Sequence, residues 1–193
     1  MKDKRQKVQE PPRDRIVGTA RNLFHELGFR GVGVDTIAEE AGTNKMTLYR
    51  HFDSKDDLIV VCLRDAAAEA REFWQEIEAK HTGKPLAQLN DWIKFTAEGL
   101  ETDCRGCDLT NASVELTDAD HPARRVIEEL KTEHRDWLAG LCKRAGLRKP
   151  ELLAKTLTTL LDGARVARQV DPTQTRSLDF PSMAKAVIES FKD

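Results

Sequence analysis

Between Val34 and Lys55 the chain reads Val-Asp-Thr-Ile-Ala-Glu-Glu-Ala-Gly-Thr-Asn-Lys-Met-Thr-Leu-Tyr-Arg-His-Phe-Asp-Ser-Lys, and no other stretch limits the fold as tightly. Val34, Ile37, Ala38 and Ala41 recur at the spacing of one helix face. Asp35 or its neighbour can cap that helix, and Gly42 ends it. Thr43 or Asn44 can cap a second short helix, with Met46, Leu48, Tyr49 and Phe52 behind it. Two helices joined by so short a turn can set the second one in the major groove of duplex DNA. The residues beyond Lys55 are most of the chain and need a different job.

The flanking sequence supports a helical head. Ile16, Ala20, Leu23, Phe24 and Leu27 line one face of a helix from Arg13, and Gly28 stops it. Residues 1–12 are polar, end in Pro11-Pro12 and read as a flexible basic arm, either a solubilising tail or a segment touching DNA phosphates. Residues 1–55 hold eleven Lys and Arg against eight Asp and Glu. The chain as a whole carries −2, so the head is modestly basic and the remainder acidic. That balance argues against bulk coating of DNA.

Beyond Asp53 a helix capped by Ser54, with Asp57 three residues on, can run to about Lys80 without Gly or Pro. Such a length commonly joins two parts of a molecule. Further helices are expected at Pro85–Thr102, Asp108–Leu116, Pro122–Ala145, Pro150–Val170 (ending before Pro172) and Pro181–Lys192. Strand-like alternation and repeats are lacking. The expected class is all-α, about nine helices.

No apolar run follows the polar N-terminus, so no signal peptide is expected, and the longest apolar run, Leu58 to Leu63, is too short to span a bilayer. Four cysteines without a secretory signal point to a reducing compartment. A cytoplasmic protein with no membrane partner is the expectation. Neither a phosphate-binding loop, a His-Glu-x-x-His motif nor a nucleophile triad is visible, so no catalytic residue, metal ligand or cofactor is assigned.

The run Ile37-Ala38-Glu39-Glu40-Ala41-Gly42-Thr43-Asn44-Lys45-Met46-Thr47-Leu48-Tyr49-Arg50-His51-Phe52, with Lys55 and Leu58 following, resembles the N-terminal domain of TetR-type transcription regulators. Ala20, Leu23-Phe24 and Gly28-Phe29-Arg30-Gly31 extend the resemblance to about residues 13–60. It implies a helix-turn-helix DNA-binding domain over 13–55, with helices at 13–28, 35–42 and 44–52, and a ligand-binding and dimerisation domain over 56–193. It also implies sugar-phosphate contacts from Tyr49, His51 and Lys55, with Thr43, Asn44, Lys45 and Thr47 facing the groove.

The residue chemistry runs parallel. Thr43, Asn44, Lys45, Thr47 and Arg50 make one side of the second short helix polar, while Met46, Leu48 and Phe52 make the other apolar. Hydroxyl, amide and cationic groups are the usual readers of bases and phosphates. Lys55 and Thr36, each at a helix start, could hold phosphates. The plainer alternatives are that Tyr49 is a core aromatic, His51 packs on Phe52, Thr43 or Asn44 only caps, and Arg50 is solvated.

The rest of the chain is less diagnostic. Arg105-Gly106-Cys107-Asp108-Leu109, with Asn111-Ala112 and Glu115-Leu116, resembles a segment in one branch of the family. Cys104 and Cys107 invite a redox or metal reading, against which stands a simple turn at Gly106 with Cys107 as a small buried residue. Trp92, Phe95 and Trp137, with Thr96, Asn111 and Glu115, could form an apolar pocket for a small molecule. Leu157, Leu160, Leu161 and Ala164, with Met183, Val187 and Phe191, could pair with their symmetry mates in a four-helix dimer interface. The expected function is a homodimeric regulator, a repressor released from a palindromic double-stranded operator by an unidentified ligand. The alternative is a thiol-redox protein or redox-sensing regulator using Cys104 and Cys107.

Overall fold

A computed structural model describes residues 10–170 and 179–192. Most of the expected basic arm and the approach to Pro172 lie outside the described residues. Helices account for all the regular structure among the described residues: α1 (Pro12–Leu27), α2 (Val34–Glu40), α3 (Lys45–His51), α4 (Lys55–Lys80), α5 (Pro85–Thr102), α6 (Asp108–Glu115), α7 (Pro122–Arg144), α8 (Pro150–Val170) and α9 (Phe180–Glu189). The all-helical expectation holds, and most ends fall within one or two residues of those read from the sequence.

The caps explain most of these boundaries. Pro stands at the start of α1, α5 and α7, where its missing N–H costs nothing. Ser54 accepts from the Asp57 N–H at 3.0 Å, as its position implied. Asp35 does not cap α2. Gly33 holds that position without a side-chain cap, and Asp35 lies in the first turn, where its charge suits the helix dipole. The last helix stops earlier than Lys192, at Glu189, with Ser190 as its C-cap.

Two buried clusters divide the packing. One joins Ile16, Ala20 and Phe24 of α1, Ile37 of α2 and Leu48 of α3 to Leu58, Ile59 and Leu63 of α4. It continues through Ala112 of α6 into Val126 and Leu130 of α7, so the apolar packing of the head does not stop at residue 55. The other gathers Trp92 and Ile93 of α5, Leu138 and Leu141 of α7, Leu157 and Leu161 of α8, and Phe180 of α9. Helix α4 contributes to both clusters, with Leu58 in the first and Ile77 in the second. Each large side chain buried this way stabilises the fold by about 1.5–3 kcal/mol. No described helix is long and apolar enough to cross a membrane.

Candidate nucleic-acid interface

Helix α3 is short, and its orientation is set at both ends. Gly42 takes a φ of +62°, a conformation that a Cβ disfavours, and lets the chain reverse between α2 and α3. Asn44 then caps α3, its Oδ1 accepting from the Thr47 N–H at 2.9 Å and from the Thr47 hydroxyl at 3.2 Å. Leu48 and Phe52, one turn apart, are buried and anchor the helix.

The opposite side faces outward. Asn44, Lys45, Arg50 and His51 are exposed, as is Thr36 on α2, while Thr43 and Thr47 are half-buried. Tyr49 is 45% exposed, so it is not a core aromatic. His51 is also exposed, with its ring 6.3 Å from that of Phe52. Met46 departs from expectation: it is 69% exposed and belongs to the outer face. Two residues along a helix is about 200° of rotation, which puts Met46 opposite Leu48. Its sulfur accepts from Arg50 Nη2 at 3.9 Å.

Two cations are already engaged. Lys45 donates to Asp35 Oδ2 at 3.0 Å, tying α3 to α2, and that carboxylate raises the pKa of the ammonium. Lys55 does not present its ammonium as the phosphate reading expected. Its Nζ donates to the Phe29 carbonyl at 2.6 Å and lies 5.8 Å from the centre of the Phe24 ring. Partial burial lowers its pKa. The side chain thus fastens the α1–α2 turn, a role that local spacing does not reveal because Phe29 lies 26 residues away.

The same turn is held from the body. Glu115, expected in a pocket, instead accepts from the backbone N–H groups of Phe29 at 2.7 Å and Arg30 at 3.2 Å. Gly28 beside it has a φ of +83°, and a Cβ there would sit 2.9 Å from Glu115 Oε2. His25 of α1 bonds Asp108 at 2.6 Å and Asp103 at 3.1 Å. Burial would lower its pKa, but hydrogen bonds and charge from Asp108 and Asp103 outweigh this and raise it. Arg105 donates to the His25 carbonyl at 2.9 Å. These contacts form a polar seam between α1 and the α5–α6 region.

A cavity of about 340 Å³ lies beside this seam. Trp92, Phe95 and Thr96 line it as expected, with Phe73 and Trp74 from α4 and His134 from α7. Asn111 and Trp137 are outside its wall, as is Glu115. Asn111 donates to the Arg105 carbonyl at 2.7 Å, and Trp137 donates to Glu78 at 3.1 Å behind Trp74. Sequence spacing could not separate these positions, because five helices contribute to one wall. Asp108 both lines the cavity and bonds His25, so cavity and head share a residue.

The expected dimer residues divide. Leu157, Leu161 and Ala164 are buried within the chain's own core, packed with the α7 residues Leu138 and Leu141, so they are not an exposed interface. Leu160, Met183, Val187 and Phe191 are half-buried. Helix α8 is apolar on two sides, and the outer side carries Leu152, Val166 and Val170, all exposed. Periodicity alone does not say which of two apolar faces a monomer keeps. All four cysteines are free. Burial pushes the Cys62 thiol up to about 12 and Cys142 to about 11, which leaves both unreactive.

Residues 16–62 match the family model described as bacterial regulatory proteins, tetR family. Over 131 residues the chain is 35% identical to the HTH-type transcriptional regulator UidR of Escherichia coli (strain K12), covering 61% of this chain and 67% of that protein. It is 24% identical over 171 residues to the HTH-type transcriptional repressor DhaR of Mycobacterium sp. (strain GP1), covering 85% of each. A crystal structure of a TetR-family transcriptional regulator from Streptomyces coelicolor superposes with a TM-score of 0.86 at 29% identity, covering 94% of this chain and 96% of that one. These relatives are transcriptional regulators, and the thiol-redox alternative gains no support from them.

Proposed function

The chain belongs to the TetR family of bacterial regulatory proteins and is a DNA-binding transcriptional regulator, and from that premise we propose that it is a homodimeric repressor whose grip on a palindromic operator is released by a small molecule. Residues 13–55 read the duplex and residues 56–193 bind the ligand and the second subunit. The observation that carries the reading is the division of α3 into a buried anchor, Leu48, and an outward face bearing Asn44, Lys45, Met46, Tyr49, Arg50 and His51. That face presents amide, ammonium, phenol, guanidinium and imidazole groups on a helix whose position is fixed by packing, as groove reading requires. Thr36, Thr43 and Thr47 stand at its edge. Lys55 acts indirectly, by holding the Phe29 turn.

Dimerisation uses the outer face of α8 and α9 rather than the buried leucines. Leu152, Thr159, Gly163, Val166 and Val170 are exposed and recur at intervals of seven, four, three and four residues, one stripe along the helix. Leu160, Met183 and Val187 flank it. A Cβ at Gly163 would meet nothing within 4 Å, so Gly163→Arg leaves the monomer intact and blocks the stripe. Loss of the dimer mass with retained helicity is the expected result, and a dimer that persists in this variant refutes the assignment.

Release requires the ligand to favour a state that binds DNA less well. The cavity wall offers a route, since Asp108 reaches His25 and Glu115, on the same short helix, reaches the α1–α2 turn. Selection of bound fragments from genomic DNA, followed by affinity measurement at fixed salt, tests the whole reading. Preference for one palindromic sequence over random duplex is expected. Equal affinity for any duplex would defeat it.

A further inference from the structure

The cavity has an uneven charge distribution that bears on the chemistry of its occupant; this inference rests on the reading of the body as the ligand-binding part. Three carboxylates line the wall, and each already has a cationic or histidine partner that is not itself part of the wall. Glu69 is bonded by Arg21 at 2.6 Å, Glu133 by Arg71 at 2.5 Å, and Asp108 by His25 at 2.6 Å. Those guanidinium groups hold the Glu69 and Glu133 carboxyls below the usual range.

The cations are less well matched. Lys131 and Arg165 share one carboxylate: Lys131 Nζ lies 2.9 Å from both Asp162 oxygens and Arg165 Nη1 lies 3.5 Å from one of them. A second cavity of about 280 Å³ adjoins the first through Lys131, His134, Leu161 and Arg165. It adds Arg135 and Lys155, neither of which enters an ion pair among the described residues. Four cations thus line the second cavity against the single carboxylate of Asp162, and two of them, Lys131 and Arg165, also line the first.

His134 stands at that junction. Its ring stacks on Trp74 at 5.2 Å and lies 6.1 Å from Trp92. Its Nε2 is buried without a hydrogen-bond partner among the described residues. A buried polar nitrogen left unsatisfied costs stability, so one lying between two cavities fits a site whose occupant completes it. Burial first, then the nearby Arg165 and Lys131, lower its pKa to about 4, so the ring is neutral near pH 7 and one ring nitrogen carries a hydrogen.

We propose that the paired cavities bind an amphipathic anion, with a flat apolar body between Phe73, Trp74 and Trp92 and an acidic head group received by Arg165 and His134. The aromatic walls supply stacking area. The Arg165 fork supplies the geometry that a carboxylate or similar oxyanion accepts. A lipophilic cation would also stack on these rings, but the acidic wall residues are already satisfied, and it would approach four positive charges.

Calorimetric titration of the full chain with three probes of one shape tests this: 1-naphthoate, 1-naphthylmethylammonium and 1-naphthalenemethanol. Naphthoate is expected to bind at least about ten-fold more tightly than the ammonium, since a charge-assisted hydrogen bond is worth about 1.5–3 kcal/mol. Arg165→Gln should erase that preference while leaving the alcohol's affinity unchanged. Lys155→Gln, at an exposed position outside the core, should weaken naphthoate alone. An ammonium that binds as well as naphthoate, or three probes that all fail to bind, overturns the proposal. Operator affinity measured with and without naphthoate is a separate readout. If naphthoate binds with the expected preference and the operator is still held, the anion site stands and the ligand-release reading falls.

Discussion

The head and the body present their chemistry in opposite ways. Helix α3 is convex, and its anchor and its outward groups are different side chains: Leu48 is buried while Tyr49 and Arg50 next to it are exposed. The cavity is concave, and its lining is also its packing: Trp92 is buried in the second core and forms part of the wall. In the head, stability and recognition can therefore be changed separately. In the body, most changes to the site also change the core around it.

The sharpest attempt to break that contrast is made on α3. Leu48→Ala removes a fully buried side chain and should cost about 2–5 kcal/mol of stability. Met46→Ala, two residues earlier on the outer face, should stay within about 0.5 kcal/mol. Denaturant midpoints of both variants check this. Similar losses at the two positions would mean that α3 has no separable faces.

The body should respond through His134. Its imidazole is neutral in the folded chain, with a pKa of about 4 against an ordinary 6.5. As pH falls below 6.5 the unfolded chain takes up that proton first, so stability present above 6.5 is withdrawn on the way down to about 4. The shift corresponds to a loss on the order of 3 kcal/mol. Arg165, Lys131 and Arg135 repel the added proton, and Asp162 favours it. His134→Gln should flatten this acid limb in melts taken between those limits. An unchanged slope would mean that the ring is solvated and the cavity wall is not as packed as it stands here.

The same contrast governs what the sequence disclosed. The head was legible because its signals are local: a glycine turn, an Asn cap three residues from the N–H that donates to it, and apolar positions within two turns. Even there, counting Met46 with Leu48 ignored the rotation between them, and the destination of Lys55 depended on a distant carbonyl. In the cavity, the aromatic residues of α5 were foreseeable from composition, but Phe73, His134 and Arg165 meet Trp92 only through the packing of several helices. Asn111 and Glu115 share the short α6 with Asp108, which does line the wall, but they stand one and two turns further along the same face and meet the Arg105 carbonyl and the α1–α2 turn instead. For α8, the pattern showed two apolar sides and left open which was kept inside.

Between the two regions, the seam should give smaller effects that depend on both. Glu115→Ala leaves two backbone N–H groups of the α1–α2 turn without their acceptor, a loss of about 1–3 kcal/mol. Glu115→Gln keeps one acceptor oxygen and should lose less. If the seam also carries the signal from cavity to head, Glu115→Ala weakens the effect of ligand on operator affinity more than it weakens operator binding itself. Equal weakening of both would reduce Glu115 to a structural clasp.

His25 supplies the smallest effect and the one with the opposite sign to His134. Asp108, on the cavity wall, and Asp103 face its ring, and Arg105 bonds its backbone carbonyl. The carboxylates raise its folded pKa above 6.5, so the stabilisation is complete below 6.5 and is lost as pH rises through the raised value. The ring is partly exposed, and solvent screening keeps the effect below that of His134. His25→Gln should therefore remove a stability loss on the alkaline side of 6.5 while leaving the acid limb of His134 untouched. Because Asp108 belongs to both the cavity and this pair, an occupant that displaced Asp108 from His25 would lower the His25 pKa toward its ordinary value. Titration of the His25 ring with and without naphthoate measures that coupling directly, and a pKa that does not move would confine the cavity's influence on the head to Glu115.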